Sequence, residues 1–134
     1  MKISGSCLCK KITFTIEDRF SLFAMCYCSR CRKATGSAHA SNLFTEARNV
    51  EWLSGEENIT RYVLPEAERF SRAFCGTCGS PVPCLSRDKS RYLIPAGCLD
   101  SDPGVGPQVQ IYVADKAQWY QDLESVEEFD GPPQ

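Results

Sequence analysis

The chain has 134 residues, 43% hydrophobic and 24% charged, proportions of a folded domain and not of a disordered chain. Lys and Arg number 15 against 17 Asp and Glu, for a formal charge of -2, so no basic field exists to hold nucleic acid. No apolar run approaches the roughly 20 residues of a spanning helix, and "MKISGSCLCKK" lacks the apolar core of a secretory signal; membrane partners are therefore not expected, and the expected location is the cytoplasm.

Segments with strand character recur at short intervals. In "ITFTI", residues 12–16, Ile12, Phe14 and Ile16 alternate with Thr13 and Thr15, the period of a strand with one buried and one wet face. Further strands are predicted over 20–25, 59–63, 70–75, 92–94 and 109–113, and His39 falls on another strand-like stretch. Between them one short helix is predicted, capped by Ser29, running from Arg30 to Thr35 and stopped by Gly36. A second helical turn is expected after Asp115. The fold class is thus mainly β, in a single domain over 1–128. The tail, 129–134, ends in "DGPPQ", which carries no pattern of a packed element and is expected to fray.

Nine cysteines in a reducing compartment argue for metal ligation over a disulfide framework. Cys75 and Cys78 form a Cys-x-x-Cys knuckle whose neighbours Gly76 and Gly79 let the backbone turn tightly, supplying half of a tetrahedron. On an extended segment Cys7 and Cys9 face the same way and supply the other half. Four thiolates would enclose zinc completely, a structural site. Cys26, Cys28 and Cys31 then remain as three ligands, which is the arrangement of an open, catalytic zinc. Cys31 is expected in the first helical turn, where free N-H groups and the dipole favour a thiolate. The alternatives are that Cys84, Cys98 or His39 completes a second closed site, or that these thiols are bystanders. Cys84 and Cys98 read as small buried hydrophobes, His39 as a structural residue, and Trp52, Trp119 and Tyr120 as core aromatics.

Five blocks in order, "GSCLCKKITFTI", "CYCSRCRKATGS", "FCGTCGSPV", "AGCLD" and "QIYVADKAQWY", resemble the glutathione-dependent formaldehyde-activating enzyme family, also called the Gfa or CENP-V family. The resemblance covers nearly the whole chain. It implies an all-β zinc-binding fold of the β-tent kind, several small antiparallel sheets with few helices, and two zinc ions per chain. It places the structural zinc on Cys7, Cys9, Cys75 and Cys78 and the catalytic zinc on Cys26, Cys28 and Cys31, the partition that spacing also gives. The implied activity is that of a carbon-sulfur lyase joining glutathione, the thiol substrate, to formaldehyde or another small aldehyde. Arg30 or Arg32 could clamp a glutathione carboxylate. The chain departs from the family pattern at Lys10, commonly Gly, at Gln110, commonly His, and at Met25 and Tyr27, often His; proton transfer is left to water, the substrate or Asp100. Two other functions compete with this one: a zinc-stabilised protein-binding module without catalysis, and thiol redox chemistry at Cys98 or Cys84.

Overall fold

In the computed structural model, which describes residues 1–133, the alternation in "ITFTI" does what it predicts. Ile12, Phe14 and Ile16 are all fully buried. Their strand is one of eleven among the described residues: β1 Lys2–Ser6, β2 Thr13–Glu17, β3 Leu22–Cys26, β4 Ala40–Glu46, β5 Val50–Ser54, β6 Ile59–Val63, β7 Ser71–Cys75, β8 Pro81–Val82, β9 Cys84–Leu85, β10 Arg91–Pro95 and β11 Val109–Ile111. They build three small sheets, ordered β1-β2-β5, β11-β3-β4-β10-β9 and β6-β7-β8. All pairs are antiparallel except the last strand, β11, which runs parallel to β3 and sets Ile111 opposite Cys26. This is the all-β, β-tent architecture, with a single α-helix among the described residues, α1, at Ser29–Thr35.

The predicted strands lie within a residue or two of the observed ones, and the strand-like stretch around His39 leads into β4; β1, β5 and the two-residue β8 and β9 were not expected. The inward positions of β4 include the polar Asn42 and Thr45, both buried. Thr45 is satisfied by donating to the Arg19 carbonyl (2.6 Å) and accepting from Asn49 (2.9 Å). In β1 the inward positions are Ile3 and Gly5. Glycine is required at position 5 because a Cβ there would lie 2.1 Å from the ring of Phe14.

Two corrections concern helical turns. The helix starts one residue early, at Ser29, and its cap is Cys28, whose Sγ accepts the Cys31 N-H at 3.3 Å. Its end is as predicted: Gly36 adopts φ 65° and donates to the Arg32 carbonyl. The turn expected after Asp115 lies instead at Val113–Asp115 as a single 3-10 turn. It is entered through Tyr112, whose φ of 56° is left-handed, a conformation costing a bulky side chain on the order of 1–3 kcal/mol. His39 falls just before β4. Residues 129–133 carry no helix or strand, and Gln134 lies outside the described residues.

Two apolar clusters sit between the sheets. Ile3, Phe14, Ile16, Phe23, Leu43 and Ile94 fill the space between the first two sheets. Ile12, Ala73 and Val82 pack with the buried Cys7, Cys75 and Cys84 beside the third. Trp52 bridges both, with its ring 5.5 Å from Phe14 and its N-H donated to the Tyr92 hydroxyl at 3.1 Å. No helix of the described residues is long and apolar enough to cross a membrane.

Candidate metal centres and active-site cleft

The sulfurs of Cys7, Cys9, Cys75 and Cys78 all lie within 4.8 Å of one another. The Cys7–Cys9 distance is 3.6 Å and the Cys9–Cys75 distance 3.8 Å. A tetrahedron of sulfurs around an ion at roughly 2.3 Å has edges of about 3.8 Å, so the donor set fits zinc in both chemistry and size. Cys7 and Cys9 converge for a different reason than the extended-chain argument supposes. They follow β1 in a turn closed by the Lys10 N-H on the Cys7 carbonyl, with Lys10 at φ 65°. Backbone and amide N-H groups point at the sulfurs: Ile12 at Cys7 (3.3 Å), and Thr77, Cys78 and Asn58 at Cys75 (3.4 to 3.5 Å). Such donors stabilise thiolates.

Protonation divides this set unequally. The Ser80 side chain and amide, helped by the Cys9 amide, hold Cys78 down at about 5, and the amides of Cys78 and Thr77 lower Cys75. The Lys11 amide pulls Cys9 down too, but desolvation and the hydrogen bonds with Cys7, Cys78 and Cys75 win and push it up to about 11. Sulfurs this close cannot all ionise on their own, and a divalent cation is what makes four thiolates compatible.

Cys26, Cys28 and Cys31 form a second group with sulfurs within 4.8 Å. Cys26 ends β3, Cys28 caps α1 and Cys31 lies in its first turn. Placing Cys31 there is right, but the thiolate preference falls elsewhere. Burial, with Cys26 and Cys28 adjacent, pushes the Cys31 thiol up. Cys28 is the lowered one, because the Cys31 amide and the sulfurs of Cys26 and Cys31 outweigh its burial. No other described His, Cys, Asp or Glu joins the three within the same distance. Cys84 is buried in the second core cluster with Ser71 Oγ 3.4 Å away. Cys98 packs beside the first cluster, and burial pushes its thiol up to about 12. Both observations agree with the small-hydrophobe reading and disfavour a redox nucleophile.

The three thiols open onto a cleft of about 1300 Å³ whose far wall comes from residues 66–71 and 84–91. Its charged lining is balanced: Arg30, Arg69, Arg87 and Arg91 against Glu66, Glu68, Asp88 and Asp115. Arg87 is tied to the carbonyls of Leu64 and Phe70, and Arg91 stacks on Phe44 at 5.2 Å, which leaves Arg30 and Arg69 facing the opening. Asp88 is held down to about 2 by the hydroxyls of Ser86 and Ser90 and the Ser90 amide, so it stays a fixed anion.

Arg32, paired with Arg30 in the sequence reading, does not line the cleft; its Nε donates to the Tyr27 carbonyl at 3.3 Å. Asp100 does not line it either, and accepts from Ser6 Oγ at 2.8 Å. His39 is structural, 5.4 Å from the Tyr27 ring and 5.7 Å from Tyr120, with Lys116 Nζ over both tyrosines. Trp52 and Tyr120 are packed as expected, but Trp119 is 69% exposed. Two positions that depart from the family pattern meet: the Tyr27 hydroxyl donates to Gln110 Oε1 at 2.7 Å. Sequence reasoning missed Arg69, Arg91 and Tyr112, since only the tertiary fold brings them to the cleft that the thiols also line.

The family model described as "Glutathione-dependent formaldehyde-activating enzyme" matches residues 2–115. The chain belongs to this family. A curated protein of Halomonas elongata, named "Putative glutathione-dependent formaldehyde-activating enzyme", is 30% identical over 96% of this chain and 85% of its own length. A crystal structure of a Rhodobacter sphaeroides protein superposes with a TM-score of 0.59 at 25% identity, covering 81% of this chain and 98% of that one. The matched stretch of the glutathione-dependent formaldehyde-activating enzyme model takes in both thiol groups and Tyr112.

Proposed function

We propose that this family member is a zinc-dependent carbon-sulfur lyase-type enzyme that joins glutathione to formaldehyde, or to another small aldehyde, giving S-hydroxymethylglutathione or its analogue. The observation that carries this reading is the group Cys26, Cys28 and Cys31, three sulfurs without a fourth described protein donor, opening onto a large charged cleft. In this reading Cys7, Cys9, Cys75 and Cys78 hold one zinc that maintains the fold, and Cys26, Cys28 and Cys31 hold a second with room for a ligand. When bound, the second zinc supplies a site where a thiol is deprotonated and a carbonyl is polarised.

The chain's own residues position the reactants. Arg30, on the first turn of α1 beside the thiols, holds a carboxylate of the peptide, and Arg69 across the cleft is suited to the other. Asp88, fixed and ionised, is suited to the ammonium group. In the reaction the thiol sulfur attacks the aldehyde carbon, the C-S bond forms, the C=O π pair moves to oxygen, and the proton lost from sulfur ends on that oxygen as the new hydroxyl. Asp115, Glu66 and Glu68 line the cleft as acceptors that can relay this proton through water. The nine cysteines are all unpaired, which supports a reducing, cytoplasmic setting.

The test mixes metal-loaded protein with glutathione and formaldehyde and follows adduct formation by NMR exchange against the protein-free rate; acceleration is expected, and its absence rejects this substrate pair. A second reading, a zinc-stabilised protein-binding module, draws on the exposed apolar side chains of Trp119, Leu123, Val126 and Phe129. X-ray absorption separates the two. An exchangeable ligand at one of two zinc ions supports the enzyme, and four protein ligands at both supports the module.

A further inference from the structure

Tyr112 caps the 3-10 turn at Val113–Asp115 through its carbonyl, which accepts the Asp115 N-H at 3.0 Å, but packing does not explain the aromatic side chain there. Of the three non-glycine residues with left-handed φ, Lys10 and Lys89 lie in tight turns, closed by their own N-H groups on the carbonyls of Cys7 and Ser86. Tyr112 instead joins the end of β11 to the 3-10 turn at Val113–Asp115, where glycine would meet no steric objection. A large aromatic held this way normally has a ring partner or a buried face. Tyr112 is 61% exposed and stands outside the ring pairings that hold Tyr27, His39, Tyr92 and Tyr120.

Its placement relative to the three thiols is fixed by the backbone. Parallel pairing sets Ile111 opposite Cys26, and the Tyr27 N-H donates to the Ile111 carbonyl at 3.1 Å. The next residue, Tyr112, lines the same cleft as Cys26, Cys28 and Cys31. The left-handed turn therefore takes a chain that has just paired with Cys26 and presents an aromatic ring to the opening beside it. Strained backbone that brings a side chain to a cleft is characteristic of ligand contacts.

We infer that Tyr112 is a substrate-contacting, specificity-determining residue: its ring forms a wall of the thiol site and packs on the peptide portion of a thiol ligand. A planar amide offers a flat face to an aromatic ring, and a ring with two side-chain torsions lays down contact area at little entropic cost. The site thereby favours a peptidyl thiol over a small alkyl thiol. This inference rests on the thiol-adduct reading above, but its test does not require turnover.

The experiment measures calorimetric binding of S-methylglutathione, whose blocked sulfur is a poor zinc ligand, to the protein as purified. Tyr112→Gly and Tyr112→Asn both tolerate left-handed φ, and either serves if the other misfolds. The expected result is binding at least about 10-fold weaker in these variants, at a melting temperature within a few degrees of the native one, with Tyr112→Phe restoring affinity to within about twofold. In turnover the loss is expected on KM for glutathione rather than on kcat, and KM for 2-mercaptoethanol is expected to change much less. No binding to the native protein, or equal binding by native and Tyr112→Gly or Asn protein, overturns the inference. If the native protein binds S-methylglutathione but does not accelerate the condensation with formaldehyde, the proposed reaction fails and the contact stands.

Discussion

Serine substitution at Cys75 and, separately, at Cys28 tests the division of labour between the two thiol groups. Cys75 is fully buried and its sulfur accepts from Thr77, Cys78 and Asn58 at 3.4 to 3.5 Å. Its group ties the turn after β1 to the knuckle after β7. A structural zinc contributes on the order of 10 kcal/mol, against a total domain stability of about 5–15 kcal/mol. Cys75→Ser is therefore expected to remove one equivalent of metal and leave the chain largely unfolded at room temperature. Cys28 has two roles, as a thiol of the open group and as the cap of α1. Serine is among the best N-caps, and its Oγ can take the Cys31 N-H that Sγ accepts at 3.3 Å. Cys28→Ser is expected to lose one equivalent of metal as well, yet to stay folded at room temperature: exchanging the cap costs at most about 1 kcal/mol, and three thiols hold their ion less firmly than four, so the melting temperature falls by much less than in Cys75→Ser. Metal content by plasma mass spectrometry and thermal melting by circular dichroism, both under reductant, measure the two effects. Equal destabilisation by the two variants, or a Cys75→Ser protein that melts like the native one, refutes the division.

Three more outcomes follow from single contacts. Gly5→Ala drives a methyl group to within 2.1 Å of the Phe14 ring, which overpacking prices at about 2–3 kcal/mol, or roughly 10 °C; Phe14→Leu in the same chain should recover part of that loss, and strict additivity in melting would contradict the clash. Cys98, pushed up to about 12 by burial, is nearly all thiol at neutral pH, and its thiolate fraction grows only as pH climbs toward that value. Iodoacetamide labelling read by mass spectrometry should therefore be slow at pH 8 and quicken with rising pH, whereas labelling at pH 8 as fast as a free cysteine would show an accessible, activated thiol. Arg30→Ala is expected to raise KM for glutathione about 10-fold, while Arg32→Ala, which loses its bond to the Tyr27 carbonyl, should alter melting more than KM; the reverse pattern in steady-state kinetics and melting would reassign the carboxylate clamp.

What could be read in the sequence was local. The two-residue alternation of Ile12, Phe14 and Ile16, the stop at Gly36 and the separation of nine thiols into four, three and two depend on neighbours along the chain, and all reappear in space. What could not be read was decided by distant partners. β1 escapes notice because one of its inward positions is Gly5, whose side-chain space the Phe14 ring fills, and the bounds of β4 are blurred by Asn42 and Thr45, whose polarity suggests a surface although both are buried. The cap is Cys28 and not Ser29 because it is the Cys28 sulfur that accepts the Cys31 N-H. Arg32 looked equivalent to Arg30, but two residues along a helix turn a side chain to another face. The cleft's far wall and Tyr112 come from segments dozens of residues away, and no local spacing announces them.

The four-sulfur cluster joins Cys7 to Cys78, more than half the chain's length apart, and that span has a consequence for biosynthesis. Cys9 leaves the ribosome 66 residues ahead of Cys75, the difference between their numbers. At roughly 5–20 residues per second of translation, the early pair waits about 3 to 13 s before its partners emerge. During that interval two bare thiols on the nascent chain face cellular oxidants and competing metals, so the yield of native protein depends on how reducing the cell is while the message is being read.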